Sequence, residues 1–419
     1  MVETHQTLDH PYLMGANLVV NAVSDACMLV DSPPCGFEKA FLLASTHDLL
    51  SGVFRPGAAH RVQCTMVGPD AMVFDRAEQV LERIEGIRTS VDATFIFLAT
   101  MPLATVTGID YGSIVERARA SGANVVLVPE TTAGRDWLDG YDEALEQIAL
   151  SIDLPRGRRR KRDVAVVGHL FDRNEGDQRG NVSELGRMLR SLSLEPVSVW
   201  LDGGDMQGLA EAGRAGTVIS LPYGRKAAAA LAGRTGARLI ELDLPVGLDG
   251  SRRWLQAVGD AMGVPRKART LIDDELASAI PVIDAVQADH LQDRRFTYLG
   301  DPFLGEAVMD ALDEVGCIAG PAVLFCTPDA PGRLTSRRFV SREDTLLRPG
   351  VGTVLDLDLD GQDLVIGNSW AGYIVRARCA RKPFVEIGFP SYTHHCLSSE
   401  PFLFFRGFVN LVNRIVNRD

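Results

Sequence analysis

The chain has 419 residues, which at roughly 100–200 residues per domain means two or three domains. Its 46% hydrophobic and 23% charged residues are ordinary globular usage and exclude large-scale disorder. With 43 Lys and Arg against 55 Asp and Glu the net charge is −12, which argues against nucleic acid or an anionic lipid surface as the main partner. No apolar run reaches the roughly 20 residues of a membrane span, and MVETHQTLDH lacks the charged-then-apolar pattern of an export signal, so a soluble cytoplasmic protein is expected.

Short β-rich apolar runs alternate with helical patterns along the whole chain, the signature of parallel sheets built from strand–helix–strand units. The first third carries strands at 27–31, 60–66, 94–100 and 124–129 and helices at 37–50, 111–122 and 137–152. A run of Arg and Lys over 155–162 then reads as an exposed linker, since like charges in sequence repel and solvate a boundary; a nucleic-acid patch is the sharper but less favoured reading. Beyond it come DVAVVGHL (163–170), a helix at 181–194, strands at 196–201, 217–222 and 237–245, a helix around 251–263 and a polar stretch from 264 to 270. The last part has strands at 295–300, 321–326, 353–358, 363–368 and 383–390, a helix at 302–316, and a closing segment at 402–417 with helical period that packs on a core or a partner. The pattern predicts three Rossmann-like α/β domains, each a mainly parallel sheet flanked by helices, over 1–155, 163–264 and 265–419, the last ending in an interface helix.

Several common chemistries are excluded by missing motifs. There is no P-loop, no G-x-G-x-x-G between strand and helix, no G-x-S-x-G, no H-E-x-x-H and no C-x-x-C. The seven cysteines are an odd, scattered set at 27, 35, 64, 317, 326, 379 and 396, so a disulfide framework is not expected. Each is a buried apolar residue, a reactive thiol or a metal ligand.

Cys35 stands out. In Asp31-Ser32-Pro33-Pro34-Cys35-Gly36-Phe37 an apolar strand ends and a helix begins, which puts the thiol in a loop at the carboxyl edge of a parallel sheet, where open α/β sheets bind ligands. The alternative is a packed loop cysteine. Cys64 ends the next strand and sits at the same edge or in the core. Cys27 opens the strand that leads to Cys35 and is better read as a core thiol. Thiolates suit iron–sulfur clusters, and two of them make half of an ordinary four-thiolate set. The remaining ligands come from a second subunit, or from oxygen or nitrogen donors such as Asp9 and His10. A second grouping, His394-His395-Cys396, follows a strand and has metal-binding residue types, although chain neighbours seldom point at one ion. Cys317 and Cys326 read as core, and Cys379, among arginines, stays open.

The chain resembles subunits of the nitrogenase component 1 superfamily over nearly its full length. The resemblance rests on MLVDSPPCG, TMVGPDAMVF (65–74), FIFLATMPLATVTGIDY (95–111), GNVSELGRMLRSLSLEPVSVW (180–200), and DLVIGNSW (363–370) with FVEIGFPSYTHH (384–395), the last pair closest to the β-type subunit. It implies three α/β domains and an iron–sulfur cluster, 8Fe–7S and P-cluster-like or 4Fe–4S, shared with a homologous α-type sister in an α2β2 assembly. It also implies a separate homodimeric P-loop iron–sulfur ATPase as electron donor, which fits the absence of a P-loop here. Cys35 matches the ligand cysteine of the strand-end loop. The place of an earlier family cysteine falls near Asp9 and His10, and that of a third falls at Met101-Pro102, where no thiol stands and Cys64 compensates. Where the cofactor-bearing subunit has a cysteine, this chain has Leu221-Pro222-Tyr223, which implies that the larger iron–sulfur catalytic cofactor belongs to the sister. His394 or His395 then matches a β-type interface pair. The implied activity is ATP-dependent reduction, with methylthio-alkane C–S cleavage as the leading substrate; the alternatives are a tetrapyrrole (protochlorophyllide- or chlorophyllide-type) reductase subunit and a scaffold for cofactor assembly.

Overall fold

A computed structural model describes residues 9–54, 57–68, 74–91, 93–101, 104, 108–128, 134–155, 157, 159–379 and 381–418. Residues 69–73 of the TMVGPDAMVF segment, Pro102 and most of the residues up to 107, and Arg156 and Arg158 of the basic run lie outside the described residues.

Three parallel sheets follow one another along the chain. The first joins β1 (Ala26–Asp31), β2 (Val62–Cys64), β3 (Phe95–Thr100) and β4 (Val125–Val128) in the order β2-β1-β3-β4. The second joins β5 (Arg160–Val167), β6 (Glu195–Val199), β7 (Ala215–Ser220) and β8 (Arg238–Glu241) in the order β6-β5-β7-β8. The third joins β9 (Arg295–Gly300), β10 (Ile318–Leu324), β11 (Thr345–Leu347), β12 (Leu364–Gly367) and β13 (Phe384–Glu386) in the order β11-β10-β9-β12-β13. Every residue of β1 and β3 is buried, because helices cover both faces of the sheet; this is why these strands read as unbroken apolar runs. In each sheet the order reverses once, between β1 and β3, β5 and β7, and β9 and β12, and the loops at those carboxyl ends are where such folds place their chemistry.

The helices Tyr12–Ala22 and Trp137–Ser151 cross at two glycines. A Cβ on Gly15 would stand 1.9 Å from the Trp137 carbonyl oxygen, and one on Gly140 the same distance from that of Tyr12. The closing helix, Phe404–Val416, turns Phe405, Phe408, Leu411 and Ile415 inward against the helices Gly247–Ala261 and Pro265–His290, so its apolar face is taken up within the chain. Among the described residues no helix is long and apolar enough to cross a membrane.

Several elements differ from the sequence expectation. The basic run is not wholly linker: from Arg160, which pairs with Ala215 of β7, it is already β5, with Arg160, Lys161 and Arg162 exposed. Residues 353–358 are not a strand; Val351–Leu355 form a short helix, and Asp356 between Leu355 and Leu357 imitates the two-residue alternation. The polar stretch at 264–270 opens a helix of 26 residues, Pro265–His290, whose Pro265 stands in the first turn, where a missing N–H costs nothing. The Cys35 helix also begins earlier than expected, at Cys35 itself.

Candidate cluster-binding edge and the three-sheet junction

The loop that carries Cys35 is anchored by its first residue. Asp31 is fully buried, and its carboxylate accepts both Arg76 terminal nitrogens (2.7 and 3.0 Å), the Thr65 hydroxyl (2.6 Å) and the Tyr111 hydroxyl (2.5 Å). Burial, reinforced by this carboxylate, pushes the Tyr111 phenol well above its ordinary range, so it serves as a donor. Ser32 donates its N–H to Thr65 Oγ1, and its carbonyl accepts from Val67 N. Gly36 has no room for a side chain, since a Cβ would meet Ser32 Oγ at 2.2 Å.

On this frame Cys35 is the first residue of its helix and its thiol is exposed, 3.9 Å from Met101 Sδ. Met101 follows β3, and its N–H donates to Asp31 O. Cys64, opposite Val30 at the end of β2, is buried, and its thiol donates to Ser32 O at 3.0 Å. The next residue but one, Met66, has φ of +55°, a left-handed backbone that brings its N–H to 3.4 Å from Cys64 Sγ. The ends of β1, β2 and β3 thus collect three sulfur side chains on one edge: Cys35 facing outward, Cys64 facing the loop, and Met101 between strand and helix. The sequence placed a family ligand position at Met101-Pro102 but gave Met101 itself no role, because a thioether gives no signal without the register. Phe41, Leu42, Leu49 and Leu50 on the segment that follows Cys35, and Met66 after β2, are exposed large apolar residues.

The other candidates lie elsewhere. Cys27 is fully buried at the amino end of β1, level with Ile96 and within a core cluster that includes Leu29 and Ile84. Asp9 forms an ion pair with Arg348 (2.7 Å), and His10 Nε2 accepts from Trp370 Nε1 (2.6 Å) beneath the ring of Phe389. Burial lowers the His10 imidazole to about 3, which keeps it neutral and fixed as an acceptor. Both residues therefore face the third sheet's elements. Cys317 and Cys326 are core thiols, raised by burial to about 12 and well above the ordinary range respectively. Cys379 lines a solvent-open cleft of about 910 Å³ at the amino edge of the third sheet, remote from the carboxyl-end chemistry.

Where the carboxyl ends of the three sheets meet, the space is filled by the protein itself. Tyr223, in the turn after β7, is buried and donates to Asp301 Oδ1 (2.8 Å) in the turn after β9. Its ring packs at 4.9 Å from that of Phe303, while Trp137 stands 4.7 Å from Phe389. His47 joins all three units: Ser391 N–H donates to its Nδ1 (2.9 Å), and its Nε2 faces Asp172 O (3.2 Å) and the Asp172 carboxylate (3.4 Å). His395 Nδ1 meets Glu175 at 2.9 Å, and that carboxylate also accepts from Cys396 N and Leu49 N. His394 and Cys396 stand together, His394 Nε2 3.3 Å from Cys396 Sγ.

The class defined by these features is a three-sheet α/β chain with a thiol edge at its first switch point and an aromatic plug at its centre. The nitrogenase component 1 type oxidoreductase family model matches residues 12–418, and the chain belongs to that family. It is 25% identical over 393 residues to the nitrogenase molybdenum-iron protein beta chain of Frankia alni, covering 84% of this chain and 72% of that one. It is 28% identical over 290 residues to the light-independent protochlorophyllide reductase subunit N of Halorhodospira halophila, covering 68% of this chain and 62% of that one. The fold is similar to that of nitrogenase Cp1 at pH 6.5, with a TM-score of 0.80 and 17% identity over 100% of this chain and 93% of the other.

Proposed function

We propose that the chain is the β-type subunit of a nitrogenase-like, ATP-dependent reductase complex that works in the cytoplasm. It passes low-potential electrons through an iron–sulfur cluster shared with an α-type sister, in an α2β2 assembly served by a homodimeric P-loop iron–sulfur ATPase. The carrying observation is the pairing of an exposed Cys35, followed by the exposed Phe41 and Leu42, with a central junction packed by Tyr223, Trp137, Phe303 and Phe389. The first offers a ligand toward a partner; the second fills the junction with this chain's own side chains, which supports placing a large catalytic cofactor in the sister. The units 1–155, 163–264 and 265–419 then divide the work, with the first bearing the ligand edge and the other two closing the junction.

The donor set fits such a cluster as a half-site. Cys35 is accessible at a helix N-terminus, whose dipole favours an anionic ligand, and Cys64 is a second thiol on the same edge once it exchanges its bond to Ser32 O for a metal. The cluster, 8Fe–7S or 4Fe–4S, would supply one-electron transfer at low potential when bound. Asp31, clamped by Arg76, Thr65 and Tyr111, holds the loop so that Cys35 keeps its direction. The substrate reading is methylthio-alkane C–S reduction; the similarity to a protochlorophyllide reductase subunit supports a tetrapyrrole as the second reading. Co-expression with the sister subunit, anaerobic purification, and iron analysis with reduced-state EPR test the proposal. A cluster signal lost in Cys35→Ala is the expected result. Iron-free protein that still assembles would overturn the relay and favour a scaffold.

A further inference from the structure

The loop from β13 to the closing helix holds a group of donors that the cluster reading does not use. His394 Nε2, Cys396 Sγ and Glu400 Oε2 lie 3.3, 3.6 and 3.7 Å from one another, taken as N–S, S–O and N–O pairs. A tetrahedral zinc ion with bonds of about 2.3 Å to sulfur and about 2.0–2.2 Å to nitrogen and oxygen sets those edges at about 3.4–3.6 Å. The trio is therefore already spaced as three corners of a tetrahedron. Each of the three distances lies within about 0.3 Å of the tetrahedral edge for its own donor pair.

The backbone under these side chains is held on every side, as metal sites require of the groups that orient their ligands. Arg173 donates to the His394 carbonyl (2.7 Å) and His394 N–H donates to Glu386 (3.2 Å). Cys396 N–H donates to Glu175 (2.8 Å), while Gly176 N–H donates to Cys396 O (2.7 Å) and Glu400 N–H to Gly176 O (3.1 Å). The last two bonds clamp both ligand positions to one residue, and that residue has to be glycine, because a Cβ would stand 1.8 Å from Ser398 O. Arg173 is committed to Asp177 and Glu175, with one nitrogen 3.9 Å from Cys396 Sγ. Glu400 is half exposed and Cys396 buried, which leaves a route from solvent and an open fourth corner. A thiolate, a carboxylate and a neutral imidazole around a divalent ion also sum to no net charge.

We propose that His394, Cys396 and Glu400 form a mononuclear site for a divalent ion of the zinc class, with a solvent-facing fourth position, separate from the Cys35 edge. The mixed sulfur, nitrogen and oxygen set favours Zn²⁺, or Fe²⁺ and Co²⁺ in its place, over Mg²⁺ or Ca²⁺. Sequence alone suggested His394, His395 and Cys396; the structure removes His395, which is turned to Glu175, and adds Glu400.

The test is titration of the full-length chain with Co²⁺, read by absorbance, in wild type, Cys35→Ala, Cys396→Ala and Glu400→Gln. The expected result is one equivalent bound with a thiolate-to-cobalt charge-transfer band and tetrahedral d–d bands, unchanged in Cys35→Ala, lost in Cys396→Ala and displaced by Zn²⁺. Glu400→Gln, a near-isosteric change at a half-exposed position, is expected to keep the fold and to weaken Co²⁺ binding at least about tenfold. No charge-transfer band in wild type, a band that disappears with Cys35 rather than Cys396, or a Glu400→Gln variant that binds like wild type would each overturn the site. None of these outcomes depends on whether the Cys35 edge carries a cluster.

Discussion

Asp301 shows how one residue at the junction trades stability for position. Its Oδ1 caps the following helix by accepting from Phe303 N and Leu304 N, and accepts from Tyr223 as well, while buried Oδ2 has no partner. Burial raises its carboxyl from 3.8 to about 6. The folded chain thus holds this proton more tightly than the unfolded chain does. The stability that follows is complete below about pH 4 and is lost as pH rises through about 6. Asp301→Asn keeps an oxygen for all three donors and removes the charge. It is expected to be more stable than wild type at neutral pH by up to about 3 kcal/mol, at about 1.36 kcal/mol per pH unit, with the advantage vanishing towards pH 4. Thermal unfolding of both proteins across that range checks it; a difference that does not change with pH would contradict the assignment.

At the scale of elements, the sequence was most readable where one signal dominates. The strands of the first sheet are apolar runs bounded by turns, and their order along the chain was enough to predict parallel α/β units. The Pro265–His290 helix was hidden, because only Ala268, Ile272, Ala279 and Ile283 are buried along its 26 residues, too sparse a stripe to outweigh its polar start. The Tyr12–Ala22 helix was hidden for the opposite reason: nearly every residue is buried, so no face contrasts with another. Cys35 was legible from its place after a strand, whereas the roles of Met101 and Glu400 depend on register and loop closure, which spacing does not encode. The crossing of Tyr12–Ala22 with Trp137–Ser151 yields a prediction at this scale. Gly15→Ala and Gly140→Ala each force backbone apart where a Cβ would approach within 1.9 Å of a carbonyl oxygen. Each is expected to destabilise by at least about 1–3 kcal/mol. The exposed Gly86→Ala, with nothing near its Cβ, serves as control and is expected to be neutral or stabilising. Urea titration of the three variants decides this.

At the scale of the molecule, the thiol edge and the central junction are linked by a single helical run. It starts at Cys35, continues through the π-turn Leu43–His47, and ends with His47 between Asp172, after β5, and Ser391, after β13. The next residue extends the seam: Asp48 accepts from Asn174 N and Nδ2, and from Asn21 Nδ2. All three sheets are therefore fastened to the segment that presents Cys35, and a ligand held there would rest on the whole junction rather than on a surface loop. Removing the fastening tests this. His47→Leu keeps the apolar contact with Phe389 but leaves the Ser391 N–H and the Asp172 carboxylate without their imidazole partner, at about 1–3 kcal/mol for each buried orphan. The loss is expected to be local in its first effect. Amide exchange should quicken in residues 36–47 and 391–396, which share the bond, while the helix Tyr111–Ala120, on the far side of the first sheet's core, keeps its protection. Exchange that rises evenly over the chain would mean that His47 contributes only to global stability. Exchange that stays unchanged in both segments would mean that the edge is held by the Asp31 anchor alone.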